Sequence, residues 1–270
     1  QRLNRAPRLG LWAMCQRINR PQPLDITDVV FGIGPLINAA GRLSDAREAV
    51  RMLLSVDKNS ALENASKLVT RNKERREMDF SMAAEAHRKF REMADWSDRK
   101  STVLFEPNWH KGIIGIVASR IVETFHKPTV ILTESNGKAV GSARSVAGFD
   151  LYGALQQCED LFTTYGGHAH AAGMQMPLEN VDAFIERFET VVRQSIAPEM
   201  EDPKIEVSTK IRFDEITPEF WKMLHRFEPF GPQNLNPVFW AEEVSDTGRS
   251  KLLANNHVKL SLRQAGSKVE

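Results

Sequence analysis

Ser60-Ala61-Leu62-Glu63 opens a stretch of chain that runs to Ser97-Asp98 without a glycine or a proline. A serine followed three residues later by glutamate is a capping box, a sequence signature of a helix start. Beyond it Leu62, Ala65, Val69, Phe80, Ala84, His87 and Phe90 recur near helical spacing, with Arg71, Lys73, Arg75 and Arg76 between them. One helix is therefore expected from Ser60 to about Asp95. At 1.5 Å per residue it reaches ~50 Å, longer than a small domain is wide, so it is expected to act as a strut separating two globular parts.

The texture differs on either side of that helix. Upstream, Leu9–Ile18 reads as a short helix stopped by Pro21 and Pro23. A glycine-punctuated segment, Phe31-Gly32-Ile33-Gly34-Pro35-Leu36-Ile37-Asn38-Ala39-Ala40-Gly41-Arg42-Leu43, precedes a helix from about Asp45 to Leu54. Downstream, 101–196 alternates strand and helix. Strands are expected at Thr102–Phe105, Thr129–Thr133, Lys138–Ala143 and Gly173–Met176, and helices at Gly112–Phe125, Leu151–Cys158 and Val181–Ile196. From Lys204 short β-rich runs take over: Ile205–Phe213, Pro237-Val238-Phe239-Trp240 and Val258–Leu262, with a helix at Thr217–Phe227. The chain divides accordingly into 1–58, 59–100, 101–198 and 199–270, an α/β domain with a helical approach and a small β-domain after it.

Length and composition fit this plan. The 270 residues are 41% hydrophobic and 26% charged, suited to two soluble domains with a connector. No apolar run is long enough to span a bilayer, and no apolar segment follows Gln1-Arg2-Leu3-Asn4-Arg5, so a secretory signal is not read there. The start reads as an internal cut, and the β pattern is incomplete at Glu270. Cys15 and Cys158 lie far apart with no partner motif, which favours small buried hydrophobes in a reducing, cytoplasmic setting. Net charge is +1, but Arg2, Arg5, Arg8, Arg17 and Arg20 all precede the first acidic residue, Asp25. Such a stretch suits a phosphate backbone or forms a solvated helix face.

Four clusters carry candidate chemistry. In Gly166-Gly167-His168-Ala169-His170-Ala171-Ala172-Gly173 the glycines allow close approach of the main chain. Successive N–H groups in such a loop make an anion nest, and the following imidazole can donate to a phosphate oxygen. Gly141-Ser142-Ala143-Arg144-Ser145 ends a strand, where α/β domains place ligand contacts; Arg144 offers a fork and Ser145 a hydroxyl. Asn108-Trp109-His110-Lys111-Gly112 leads into a helix amino terminus that attracts anions. There Trp109 either stacks on a base or fills a core. Asn38 and Arg42 either cradle a strand backbone or belong to a rigid turn.

In this order, the Phe31–Leu43 string, the Trp109–Ile116 segment, Arg144-Ser145 with Phe149-Asp150-Leu151, the Gly166–Gly173 string and Phe227-Glu228-Pro229-Phe230-Gly231-Pro232 resemble RecJ exonucleases. The resemblance implies that 1–58 is the tail of a DHH-domain region, 59–100 a connector helix, 101–198 a DHH-associated α/β domain and 199–270 part of an OB-fold. It implies a 5′-to-3′ exonuclease on single-stranded DNA serving recombination and repair. Further implied partners are a single-strand-binding protein and a repair helicase, with no membrane involved. The family uses Mn²⁺ or Mg²⁺, yet this chain has no Asp-His-His triplet and no Asp-x-Asp pair. The metal ligands are therefore expected outside it, and this fragment alone is expected to be inactive. Arg144 and His168 are then the candidate catalytic residues. Asn38, Arg42, Trp109, His110, Lys111, Ser145, Gly166 and Gly167 join them as nucleic-acid contacts, and in the OB part Phe239 and Trp240 serve as platforms or core. Competing readings are a phosphodiesterase of cyclic dinucleotides or short RNA in the same superfamily, a non-catalytic scaffold relative, and an editing domain of the alanyl-tRNA synthetase type.

Overall fold

A computed structural model describes residues 2–18, 23–254 and 257–267; Gln1, Arg20, Pro21 and Glu270 lie outside them. Contacts divide the chain into two units, 1–203 and 204–270.

The first unit begins with α1 (Arg2–Arg5), α2 (Leu9–Arg17), α3 (Ile26–Asp28), a π-helical turn (Val29–Ile33), α4 (Gly34–Leu43), α5 (Arg47–Leu53) and the long α6 (Lys58–Glu92). The glycine-punctuated segment is thus helical rather than a turn or a cradle. Pro35 stands in the first turn of α4, where its missing N–H costs nothing. A Cβ on Gly32 would stand 3.3 Å from Ile18, so that glycine answers to packing, not to a bend.

Helix α6 starts two residues before the expected capping box. Its cap is Asp57, whose carboxylate accepts from Ser60 N–H at 2.9 Å. The buried stripe also differs from the apolar one read in the sequence. It runs Ala61, Ala65, Leu68, Asn72, Asp79, Met82, Ala86, Phe90, while Phe80 is 74% exposed. Hydropathy cannot select that stripe, because its middle is an asparagine and an aspartate. On the first half of α6 the stripe packs with Met14, Ile33, Leu36, Ala40 and Met52. On the second half it packs with Trp109, Ile113, Val117 and Ile121. The helix is therefore shared by two cores, and both lie in one unit.

The rest of that unit is a five-stranded sheet in the order β1-β2-β3-β5-β4. Its strands are β1 (Thr102–Phe105), β2 (Thr129–Ser135), β3 (Lys138–Arg144), β4 (Thr164–His168) and β5 (Ala171–Pro177). The β1–β2 pair is parallel, joined through α7 (Ile114–Phe125); the other pairs are antiparallel. One face, through Val103, Val130, Ala143 and Met174, packs on α8 (Leu151–Gln156) and α9 (Val181–Ser195). Cys158 is buried in that core, which pushes its thiol up to about 11 and leaves it inert at neutral pH. The opposite face, through Leu104 and Ile131, packs on α6 and α7.

In the second unit, short strands form two-stranded pieces: β6 (Thr209–Lys210) with β7 (Phe239–Trp240), β8 (Val244–Asp246) with β11 (Leu262–Gln264), and β9 (Lys251–Leu252) with β10 (Val258–Lys259). Helix α10 spans Pro218–Leu224. Phe239 meets Phe220 edge to face at 5.6 Å, whereas Trp240 is 53% exposed.

Candidate nucleic-acid interface

Strand register explains where the candidate residues stand. Cross-strand partners in an antiparallel pair point to the same face. Two rows cross the whole sheet on the α7 side: Leu104, Ile131, Ser142, Gly173, Gly166 and, beside it, Thr102, Thr129, Arg144, Ala171, His168. On this face α7 lies over β2 and β3, and α6 over β1. A Cβ on Gly115 in its first turn would stand 3.0 Å from Ser142 Oγ and 3.1 Å from Arg144 Nη2. Past the edge of α7 the rows continue as Gly173 and Gly166, both exposed, and as Ala171. Over β5 and β4 the sheet thus offers a nearly side-chain-free floor. Arg144 stands on one side of it and His168 on the other, two strand spacings or ~10 Å apart.

The Gly166–His168 segment is therefore an edge strand of a hairpin, and the expected loop nest is absent there. Gly167 faces the core side; its φ is 156°, and a Cβ there would lie 2.4 Å from Ala171 O and 2.5 Å from Ala172 Cα. Only glycine lets the two strands approach this closely. Gly166 has the opposite environment, with nothing within 4 Å of its missing Cβ. The two-residue turn Ala169-His170 is fixed by the preceding loop: Ser145 N–H donates to His170 O at 3.1 Å and Leu151 N–H to Ala169 O at 3.2 Å. Ser145 Oγ donates to Phe149 O, so its hydroxyl is committed to holding that loop.

Arg144 is half-buried. Its Nη1 donates to Ser142 Oγ (3.1 Å) and Ala143 O (2.8 Å), which leaves Nε and Nη2 without a protein acceptor among the described residues. Burial, and secondarily the charge of Arg42, hold its guanidinium below the ordinary value. Arg42 lies in the last turn of α4, one helical turn after exposed Asn38, and its Nη1 donates to Gly112 O at 3.2 Å. A Cβ on Gly112 would lie 2.1 Å from Arg42 O, so that glycine lets α4 dock against the entry to α7. The geometry brings Arg42, Arg144 and the start of α7 together.

His168 is exposed, and its Nδ1 accepts from His170 N–H at 3.2 Å. With Nδ1 so engaged, Nε2 is the ring nitrogen that carries a proton, a donor for an incoming oxygen. His110 is built alike: Nδ1 accepts from Gly112 N–H at 3.1 Å. Lys111 is exposed beside it. Trp109 stands apart. It is 5% exposed in the α6–α7 core, with Nε1 donating to Glu85 at 2.9 Å, and offers no face to a base. Sequence reasoning missed Ser142 as an Arg144 partner, and it missed Asp79, a buried carboxylate facing Arg75 and Arg120. The separation of Asp79 from Arg120 by 41 residues gave no local signal.

Residues 98–194 match the family model of the DHHA1 domain, and residues 207–270 that of the RecJ OB domain. The single-stranded-DNA-specific exonuclease RecJ of Bacillus subtilis (strain 168) is 33% identical over 280 aligned positions, spanning 100% of this chain and 35% of that protein. Its namesake from Thermus thermophilus is 34% identical, spanning 84% of this chain and 33% of that protein. A crystal structure of RecJ in complex with Mn²⁺, also from Thermus thermophilus, superposes with a TM-score of 0.83 at 30% identity, over 97% of this chain and 38% of that one. The corresponding complex with Mg²⁺ gives 0.83 at 29% identity, over 97% of this chain and 40% of that one. The chain spans 33% to 46% of the length of these curated relatives.

Proposed function

We propose, from the premise that this chain belongs to the RecJ family as the part bearing the DHHA1 and OB domains, that it is the substrate-gripping part of a 5′-to-3′ exonuclease on single-stranded DNA, acting in recombination and repair. The observation that carries the reading is the bare floor between Arg144 and His168. Between those two side chains, a strand lying on it meets only glycine and the Ala171 methyl underfoot. Arg144 presents Nε and Nη2 to a phosphate oxygen, with Arg42 and the start of α7 adding positive potential. From the other side His168 Nε2 donates. Asn38, His110 and Lys111 extend the same surface upstream, and the OB part adds Trp240 as an exposed stacking platform. Further proposed partners are a single-strand-binding protein and a repair helicase, on family resemblance alone. Among the described residues no helix is long and apolar enough to cross a membrane.

Two crystal structures of relatives carry Mn²⁺ or Mg²⁺. Among the described residues here, no group of three or more His, Cys, Asp or Glu is placed to hold a metal ion. The described residues do not fit a metal centre, and the part in hydrolysis we read for this chain is binding and orientation. Arg144 and His168 hold the phosphate, set the bond to be cut, and offset charge that develops on its oxygens. Removing one preorganised donor of this kind costs about 10²–10³ in rate. The test is Arg144→Ala and His168→Ala in the complete protein, with turnover and thermal unfolding both measured. Turnover should fall by that factor with melting unchanged. Near-normal turnover in either variant removes that residue from the site, and loss of activity only in step with melting makes its role structural.

A further inference from the structure

Between the end of α4, the middle of α6 and the first turns of α7 lie Arg42, Arg75, Arg76, Lys111, Arg120 and Arg144. Among the described residues, the one carboxylate in ion-pair contact with any of them is Asp79. It is 1% exposed and takes Nε and Nη2 of Arg120 at 2.8 and 2.9 Å, a bidentate pair. Arg75 is the looser partner. Its Nη1 stands 3.6 Å from Asp79, Nη2 donates to Asn72 Oδ1 at 3.1 Å, and the buried Nε has no acceptor. Its side chain is only 14% exposed. Two guanidinium groups therefore share one buried carboxylate, and one positive charge is left over in a place where charge is expensive to leave uncompensated.

We infer that Arg75 is a second anion ligand, taking the phosphate next to the one held by Arg144 and His168, and that Asp79 is the positioning residue that aims it. The inference rests on the nucleic-acid reading of the floor. Geometry favours it over a plain brace between α6 and α7, because Arg120 alone already gives Asp79 a bidentate partner. The arginines also form a connected series: the charge of Arg42 acts on both Arg75 and Arg144, in each case after burial as the larger cause of the lowered guanidinium value. A connected series of cations of this kind suits the successive phosphates of a single strand.

The experiment is fluorescence anisotropy of a labelled single-stranded oligonucleotide on the 270-residue chain over a range of salt concentrations, with thermal unfolding of every variant. Arg75→Gln should weaken binding about tenfold and reduce the log–log salt slope by about 0.7, the share of one phosphate on a single strand. Arg75→Lys keeps the charge and loses the fork, so affinity should fall with the slope unchanged; it serves where the glutamine variant does not fold. Asp79→Asn separates the two readings by sign. It adds one net positive charge, so a plain brace predicts tighter binding, whereas loss of aim predicts weaker binding. Lys73→Gln, an equal charge loss at a 79% exposed position on the same helix, should change affinity less than about twofold. Wild-type slope in Arg75→Gln, or tighter binding by Asp79→Asn, overturns the inference if Arg144→Ala still weakens binding. If Arg144→Ala leaves binding intact, the reading of the floor itself fails.

Discussion

Putting a side chain on the floor should block it without harming the fold, and Gly166 is the place to do so. No atom lies within 4 Å of its missing Cβ, and its φ is not in the left-handed region. Valine suits an exposed edge strand, so Gly166→Val should change stability by no more than about 0.5 kcal/mol. Its methyl carbons rise roughly 2.5 Å above the backbone, two bonds' worth. A strand resting there is lifted by about that much, which stretches hydrogen bonds of ~2.8 Å to beyond 4 Å at both Arg144 and His168. Losing one to two charge-assisted bonds costs about 1.5–3 kcal/mol, or roughly 10- to 150-fold in affinity. The assay is anisotropy with a single-stranded oligonucleotide, paired with thermal unfolding. Gly167→Ala is the contrasting variant: its Cβ would meet Ala171 O at 2.4 Å, so it should lower melting instead. Full binding by well-folded Gly166→Val would refute the floor as the path of the strand.

Trp109→Phe should cost about 1 kcal/mol by stranding Glu85, yet leave oligonucleotide affinity unchanged; a selective loss of affinity would return Trp109 to the interface. Asp57→Ala should lower the urea midpoint and Ser60→Ala should lower it far less, the reverse of what a serine cap predicts. The Ser60 N–H bond holds the Asp57 carboxyl below its ordinary value, so its contribution is whole above about pH 4 and vanishes as pH falls through the lowered folded value. The gap in urea midpoint between wild type and Asp57→Asn should therefore narrow on acidification. An end-labelled single strand should survive incubation of this chain with Mn²⁺ or Mg²⁺; chelator-sensitive digestion would mean that it holds a metal centre after all.

Much of this was legible where pattern and fold agree. The strands and helices of 101–196 and the long helix follow from periodicity and from the spacing of glycine and proline. Arg144 closes its strand, where the sequence reading placed it. Three features were not legible. Gly166-Gly167 resembles a loop in isolation and becomes a strand because β5 pairs with it. The Phe31–Leu43 segment carries four glycine or proline interruptions and is helical because close packing and a first-turn proline use them. The buried face of α6 passes through Asn72 and Asp79, whose partners are arginines rather than apolar side chains.

That polar midsection has a mechanical consequence. Helix α6 is one rod gripped at both ends, by an all-helical core at Ala61–Leu68 and by the sheet's core at Met82–Phe90. Neither grip can be released without fraying a helix that the other still holds, so 1–203 should denature as a single cooperative block, with a denaturant slope suited to about 200 residues. Between the grips, Arg71 to Met78 depend on hydrogen-bonded charges that salt and solvent weaken. Amide exchange should accordingly be slowest at the two ends of the rod and fastest in its middle, with the fast segment slowing when a phosphate chain binds.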